Sequence, residues 1–317
     1  MNTGMRTFLM VILLVASTVV QTGCNPQPQG AQSPSPSGAV VPAHPLQVTV
    51  SILPQQYFVE RIAGDLVTVN VMVLPGENPA TYEPKPEQLR MLADSAAYFS
   101  IGVPFEDAWM ERIASVSSRM LIVDTAQGIE RKPLAETEQE IDDAQGSEDD
   151  HHNHAEGLDP HIWLSPRLVK IQAHTIFEAL AGLDPQHETV YRTNLEAFLS
   201  DIDRLEEDIR ASLRGVRNRK FIVFHPSWGY FANDFGLEQV AIEVGGQEPS
   251  AAELASLIEF AKREGIDVIL AQPQFSRRSA ETIAREIGGE VLLIDPLALD
   301  WLDNLSQVAR AMAAVLQ

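Results

Sequence analysis

From residue 46 onward, short apolar runs alternate with segments in which apolar residues recur every three or four positions. The runs predict β-strands, and the recurring positions predict amphipathic α-helices. In the first half we expect strands at 47–52, 67–74, 97–101 and 120–124, and helices at 54–63, 86–93 and 105–115. In the second half we expect strands at 221–224, 239–244, 267–271 and 291–294, and helices at 227–235, 251–264, 279–287 and 304–316. This alternation indicates βα units and mainly parallel sheets.

A long helix predicted at 188–213 separates the two βα segments. Leu195, Ile202 and Ile209 lie on its one apolar stripe, and charged residues cover the other face. We therefore expect an α/β fold of two βα lobes with mainly parallel sheets, joined by a long rigid helix. The expected bounds are 46–185 for the N-terminal lobe, 186–214 for the connecting helix and 215–317 for the C-terminal lobe.

Residues 1–24 have the pattern of an export signal. The apolar run Phe8 to Val20 is too short to span a bilayer comfortably and suits the core of a signal peptide. Small residues before Cys24 resemble a bacterial lipobox, although Gln21 stands where an aliphatic residue is usual, so an ordinary cleaved signal stays open. We expect a periplasmic or cell-surface protein, anchored to the membrane by lipid on Cys24 and carried on a flexible tether at 25–45.

Charge and cysteine content narrow the range of functions. The formal net charge of −21 disfavours nucleic acid and anionic lipid headgroups as partners. Cys24 is the one cysteine, so no disulfide can form within the chain.

An acidic segment at 136–157 carries His151, His152 and His154. This composition suits a mobile loop that collects metal ions; the alternative is a solvated loop without a binding role.

Three residues could bind a metal ion together. His225 and Asp295 directly follow predicted strands, and His161 lies just before a helix in the other lobe. Ligands of open α/β sheets bind at the carboxyl ends of strands. Two imidazoles and one carboxylate from two lobes suit a divalent ion such as Zn²⁺, although each histidine could instead be a hydrogen-bonded structural residue.

Several stretches of the sequence, in order, resemble the signatures of the zinc and manganese binding proteins of ABC importers. They are Gly-Glu-Asn-Pro-Ala-Thr-Tyr-Glu-Pro-Lys-Pro at 76–86, Asp-Pro-His-Ile-Trp-Leu-Ser-Pro at 159–166, His-Pro-Ser-Trp-Gly-Tyr-Phe at 225–231 and Asp-Pro-Leu at 295–297, with further similarity at 247–250 and 272–275. The resemblance implies a metal in the cleft between two lobes. It also implies a monomeric extracytoplasmic receptor that passes a divalent ion to an ABC permease and its ATPase subunit.

The resemblance also implies four metal ligands, one from each signature. His161, His225 and Asp295 match three of them, but the histidine of the first signature falls at Ala80, whose methyl group cannot bind metal. Water could complete the site, a histidine of the acidic loop could reach it, or the site could be reshaped for another ligand. A carboxylate could also fill the position, and the candidates are Glu77, Glu83 and Glu106, of which the last two have an ordinary role near helix starts.

The resemblance favours zinc, because family members with a histidine at the position of His225 bind zinc and those with a carboxylate there bind manganese. Manganese or iron stays open.

We expect a binding protein and not an enzyme. A zinc hydrolase with three protein ligands and water is one alternative, although no His-Glu-x-x-His motif is present. An adhesin or scaffold that has lost transport is the other.

Overall fold

The computed structural model describes residues 45–134, 157–243 and 247–316. The predicted signal peptide with Cys24 lies outside the described residues, as does the tether apart from its last residue. His151, His152 and His154 of the acidic loop also lie outside them.

The N-terminal lobe contains a four-stranded sheet. Its strands are β1 (Leu46–Val50), β2 (Val67–Val71), β3 (Ala97–Ser100) and β4 (Leu121–Asp124). All pair in parallel in the order β2-β1-β3-β4, as the expectation of βα units requires. The helices of this lobe are α1 (Leu53–Ala63), α2 (Pro86–Ala93), α3 (Pro104–Val116) and α4 (Pro166–Leu183).

The C-terminal lobe repeats this topology. Strands β5 (Lys220–Val223), β6 (Glu238–Ala241), β7 (Val268–Ala271) and β8 (Glu290–Leu293) form a parallel sheet in the order β6-β5-β7-β8. The helices are α6 (Gly229–Phe235), α7 (Ala251–Glu264), α8 (Arg278–Ile287) and α9 (Trp301–Val315). In each lobe the first strand, β1 or β5, lies between the second and the third strand of its sheet. The chain therefore reverses its winding direction at this strand, which leaves a crevice at the carboxyl ends of the neighbouring strands.

Local sequence signals fix the ends of several helices. Ser250 caps α7 by accepting the Glu253 N–H, and the Glu253 carboxylate accepts the Ser250 N–H in return. Gly265 ends that helix at φ +67°, a left-handed conformation that glycine adopts without strain. Ser165 caps α4 by accepting the Leu168 N–H, and this fixes the start of the helix that follows His161.

A long helix, α5 (Glu188–Ser212), connects the lobes, as the apolar stripe predicted. Its buried face includes Leu195, Phe198 and Ile202. One continuous apolar core contains this face together with side chains of α1 and α9. The Trp301 ring of α9 meets Phe58 of α1 edge-to-face at 5.3 Å, and its Nε1 donates to the Trp163 carbonyl at 2.6 Å. The last helix of the C-terminal lobe therefore completes the core of the N-terminal lobe. The predicted α/β architecture is confirmed.

Among the described residues, none of the helices combines the length and the apolar character that a membrane crossing requires.

Trp301 should be a main contributor to the contact between the lobes. Trp301→Phe keeps an aromatic ring against Phe58 but leaves the buried Trp163 carbonyl without its donor. We expect a loss of about 1–3 kcal/mol in the free energy of unfolding, measured by urea denaturation. Leu299→Ala, at an exposed neighbouring site, should change it by no more than about 0.5 kcal/mol. Equal effects of the two substitutions would contradict this role.

Candidate metal centre

His161 is held by its own local turn. The Asp159 Oδ1 atom accepts both the His161 backbone N–H at 2.9 Å and the His161 Nδ1 at 2.7 Å. The turn is supported from the other lobe, because the Tyr230 hydroxyl donates to the Asp159 carbonyl at 3.1 Å and accepts the Lys132 N–H at 3.0 Å. Burial lowers the pKa of His161, which favours the neutral imidazole. The ring is therefore fixed in direction, with Nδ1 toward Asp159 and Nε2 toward the C-terminal lobe.

His225 extends from the carboxyl end of β5 and is held on three sides. The Gln272 amide, just after β7, accepts the His225 N–H at 3.1 Å and donates to the His225 carbonyl at 2.6 Å. The Glu243 carboxylate, just after β6, lies 2.6 Å from His225 Nδ1. The Phe275 ring stacks on the imidazole at 4.8 Å and 25°. Three strand ends of one sheet thus fix this single side chain.

The two histidines present their remaining nitrogens to each other. His161 Nε2 and His225 Nε2 lie 3.2 Å apart. Each Nδ1 lies against a carboxylate, and a neutral imidazole that donates through Nδ1 has its lone pair on Nε2. Two lone pairs at this distance repel unless a proton or a cation lies between them. Two nitrogen ligands of a tetrahedral zinc, each about 2.0–2.1 Å from the metal, lie about 3.3–3.4 Å apart. The observed separation is therefore close to one edge of such a site.

Asp295 follows β8 at the border of the same crevice. Gln274 Nε2 and the Leu297 N–H both donate to its Oδ1, at 2.8 and 2.9 Å. No described residue hydrogen-bonds its Oδ2, and Asp295 is not itself among the residues that line the cavity beside the imidazoles. Among the described residues, no group of three or more His, Cys, Asp or Glu side chains lies close enough to hold a metal together. The structure brings His161 and His225 together, and Asp295 as a third ligand stays a prediction.

A cavity of about 80 Å³, partly open to solvent, lies beside the two imidazoles. Ala80 and Gln274 line it beside His161 and His225. The carboxylate candidates for the fourth position do not. Glu83 is exposed outside the cavity lining, and Glu77 is paired with Lys85 at 3.2 Å on the surface.

Glu106, the third carboxylate candidate, is buried below the cavity wall. Its carboxylate accepts the Ile101 N–H at 3.0 Å, the Gly102 N–H at 2.6 Å and the Ser51 hydroxyl. Burial raises its pKa from the ordinary 4.5 to about 7, against the effect of these hydrogen bonds and of Arg131. Its bonds fix the loop that leads into the cavity residues Val103 and Pro104, which is a structural role.

Sequence reasoning missed Asp159 and Glu243, the two carboxylates that orient the histidines, and the two glutamines Gln272 and Gln274. All four were detectable in part, since Asp159 precedes His161 by two residues, Glu243 lies near the end of the strand predicted at 239–244, and the two glutamines follow the strand predicted at 267–271. The contacts of Glu243 and Gln272 with His225 depend on which strands are neighbours in the sheet, and the order of residues along the chain does not specify those neighbours.

Residues 48–315 match the family described as "Zinc-uptake complex component A periplasmic". The chain belongs to this family. Among its relatives, a putative metal-binding protein of Chlamydia trachomatis is 30% identical over 268 residues, covering 84% of this chain and 90% of the relative. The high-affinity zinc uptake system protein ZnuA of Bacillus subtilis is 28% identical over 256 residues, covering 80% and 78%.

Solved structures of this zinc-uptake family have the same fold. A crystal structure of ZnuA is 46% identical, with a TM-score of 0.78, and covers 86% of this chain and 100% of that one. The laminin-binding protein of Streptococcus agalactiae, described as having adhesin and metal-transporting activity, is 22% identical with a TM-score of 0.74, covering 86% and 100%. At that identity it supports the fold alone.

Glu243→Gln should weaken zinc binding without unfolding the protein. The amide keeps the shape of the side chain but no longer offers a charged acceptor to His225 Nδ1, so the donor strength of Nε2 falls. We expect a loss of about 10–100-fold in zinc affinity, measured by competition with a chelating dye. Glu238→Gln, at the exposed start of β6, is the matched control and should leave affinity unchanged. Equal affinities of the wild type and Glu243→Gln would contradict the role of Glu243.

Glu106 should make the fold less stable as pH rises. Its pKa is raised on folding, so it contributes stability below pH 4.5 that is lost as pH rises through about 7. We expect the free energy of unfolding of the wild type, relative to Glu106→Gln, to fall by on the order of 3 kcal/mol between pH 4.5 and 8. Urea denaturation across this range measures the difference. A constant difference would mean that folding does not raise the pKa of Glu106.

Proposed function

We propose that this chain is an extracytoplasmic receptor that captures one divalent ion, zinc in the first instance, at His161 and His225. The observation that carries the proposal is the convergence of their Nε2 atoms at 3.2 Å, with each Nδ1 held by a carboxylate. Imidazole is a preferred ligand of zinc, and carboxylate-bound imidazole is a stronger donor than a free one. Asp295, through its unbonded Oδ2, supplies the third ligand.

Transport of the bound ion follows from the family. ZnuA of Bacillus subtilis is named as part of a high-affinity zinc uptake system, and a deletion mutant of ZnuA, 45% identical to this chain, was crystallised with zinc bound. By analogy, this chain passes its ion to an ABC permease with its ATPase subunit. It acts as a monomer outside the cytoplasm, anchored through a lipid on Cys24. His151, His152 and His154 collect ions for the cleft.

Zinc is preferred to manganese or iron because both side-chain ligands that converge are imidazoles. Harder ions such as manganese favour carboxylate, carbonyl and water oxygens. A hydrolase is disfavoured, because Glu83 lies outside the cavity lining and Glu106 is occupied by backbone N–H groups. An adhesin without transport remains the competing function, and loss of metal binding with an intact fold would favour it.

His225→Ala tests the site directly. Removing one of two converging imidazoles should weaken zinc binding by more than about 100-fold, beyond the usual effect of an outer-sphere substitution. Calorimetric titration of the metal-stripped, processed protein measures it. His174→Ala, on the exposed face of α4, is the matched control and should bind zinc as the wild type does.

The same experiment distinguishes a zinc site in the cleft from a zinc site in the acidic loop. Zinc binding that survives His225→Ala unchanged but is lost when 136–157 is deleted would overturn the proposal, because the ion would then belong to the loop. A wild type that binds neither zinc nor manganese would also overturn it.

A further inference from the structure

One short helix lies between the two histidines, which come from different lobes. This helix, α6 (Gly229–Phe235), begins four residues after His225 and packs against the segment that carries His161. Tyr230 and Asp234 are four residues apart on α6, so they lie one turn apart on the same face. They contact residues on both sides of His161 in the sequence. The C-terminal lobe therefore holds the His161 segment at two points.

The first point is the hydroxyl of Tyr230, a buried residue. It donates to the Asp159 carbonyl at 3.1 Å and accepts the Lys132 N–H at 3.0 Å. The Asp159 N–H in turn donates to the Lys132 carbonyl at 2.8 Å, so one hydroxyl joins α6 to two paired segments. Gly229 permits this close approach, because a methyl group there would lie 3.2 Å from Asp159 Oδ2.

The second point is the Asp234 carboxylate, whose Oδ2 accepts the Ser165 hydroxyl. The same Ser165 Oγ accepts the Leu168 N–H at the start of α4, so its direction is fixed by both bonds. Arg167 also lies 3.7 Å from Asp234 Oδ1, but its side chain is 61% exposed, and an ion pair of this kind contributes little. The bond to Ser165 is therefore the main contact of Asp234 with the His161 segment.

The chain between His225 and α6 is itself held to the sheet of the C-terminal lobe. Gln272 Nε2 donates to the His225 carbonyl at 2.6 Å. Gln239 of β6 accepts the Trp228 N–H at 2.9 Å and donates to the Pro226 carbonyl at 3.1 Å. Because these bonds fix the connection at both of its ends, α6 and His225 form one unit.

We propose that Tyr230 and Asp234 are positioning residues that set the separation of the two imidazoles and thereby the residence time of the bound ion. Through α6 they tie the His161 segment to the unit that contains His225. Without these two hydrogen bonds the separation of the Nε2 atoms would vary, and binding an ion to both nitrogens would first require their ordering. The inference rests on the proposed function, since it requires an ion held by both nitrogens.

The experiment measures zinc dissociation from the processed protein by stopped-flow mixing with an excess of a chelating dye. Tyr230→Phe removes only the hydroxyl, and Asp234→Ala removes the acceptor of Ser165. We expect each substitution to speed dissociation about 3–10-fold, as the loss of one hydrogen bond predicts, and to leave the association rate nearly unchanged. Asp234→Asn keeps a carbonyl oxygen for the Ser165 hydroxyl and should restore dissociation to nearly the wild-type rate.

Tyr191→Phe is the matched control. The buried Tyr191 hydroxyl donates to Asp184 at 2.8 Å, near the start of the connecting helix and outside the cavity lining. Its loss should lower the free energy of unfolding as Tyr230→Phe does, but leave zinc dissociation unchanged. Bound Co²⁺ gives a second readout, because its visible absorption depends on the geometry of its ligands. Tyr230→Phe should change this spectrum, and Tyr191→Phe should not.

Zinc dissociation at the wild-type rate from either Tyr230→Phe or Asp234→Ala would overturn the inference, so one well-folded variant is enough for the test. Equal acceleration by Tyr191→Phe would also overturn it, because the effect would then follow general stability. In both cases the proposed function stands, since the wild type still binds zinc. A wild type that binds neither zinc nor cobalt would instead remove both proposals together.

Discussion

Two imidazole nitrogens lie 3.2 Å apart, one from each lobe, and the surrounding structure holds them there. Between two neutral rings this contact is repulsive unless a proton or a cation lies between the nitrogens, and other bonds hold the rings in place. Asp159 and Glu243 hold the two Nδ1 atoms, while Gln272 fixes the backbone of His225. A divalent ion between the two nitrogens would replace this repulsion with coordination.

The contact between the lobes explains why the nitrogens stay in register. The connecting helix shares one core with α1 and α9. Trp301 and Trp163 extend this core toward the site, since Trp163 Nε1 also donates to the Pro296 carbonyl at 2.7 Å. The lobes are therefore joined behind the cleft by buried aromatic side chains as well as by one helix.

Much of the fold could be predicted from the sequence, because its strands and helices are separated by strong local signals. The alternating apolar runs located all eight described strands within a few residues, and the stripe of Leu195 and Ile202 located the connecting helix. His225 and Asp295 were detectable because they directly follow strands. The partners of the ligands were not, because Glu243 meets His225 only through the pairing of β5 with β6. Of the carboxylates considered in place of Ala80, Glu106 is held away from the cavity lining by the N–H groups of Ile101 and Gly102, which the sequence does not specify.

The central claim is that the ion lies between His161 and His225, so the most direct measurement counts imidazoles around it. X-ray absorption at the zinc edge, on protein loaded with one equivalent, resolves imidazole by its outer-shell scattering. The account predicts two imidazoles at about 2.0–2.1 Å with oxygen ligands completing the site. Three or more imidazoles would contradict it, because the described cavity offers only two and the others would have to come from the acidic loop. A spectrum with no imidazole scattering would exclude the cleft altogether.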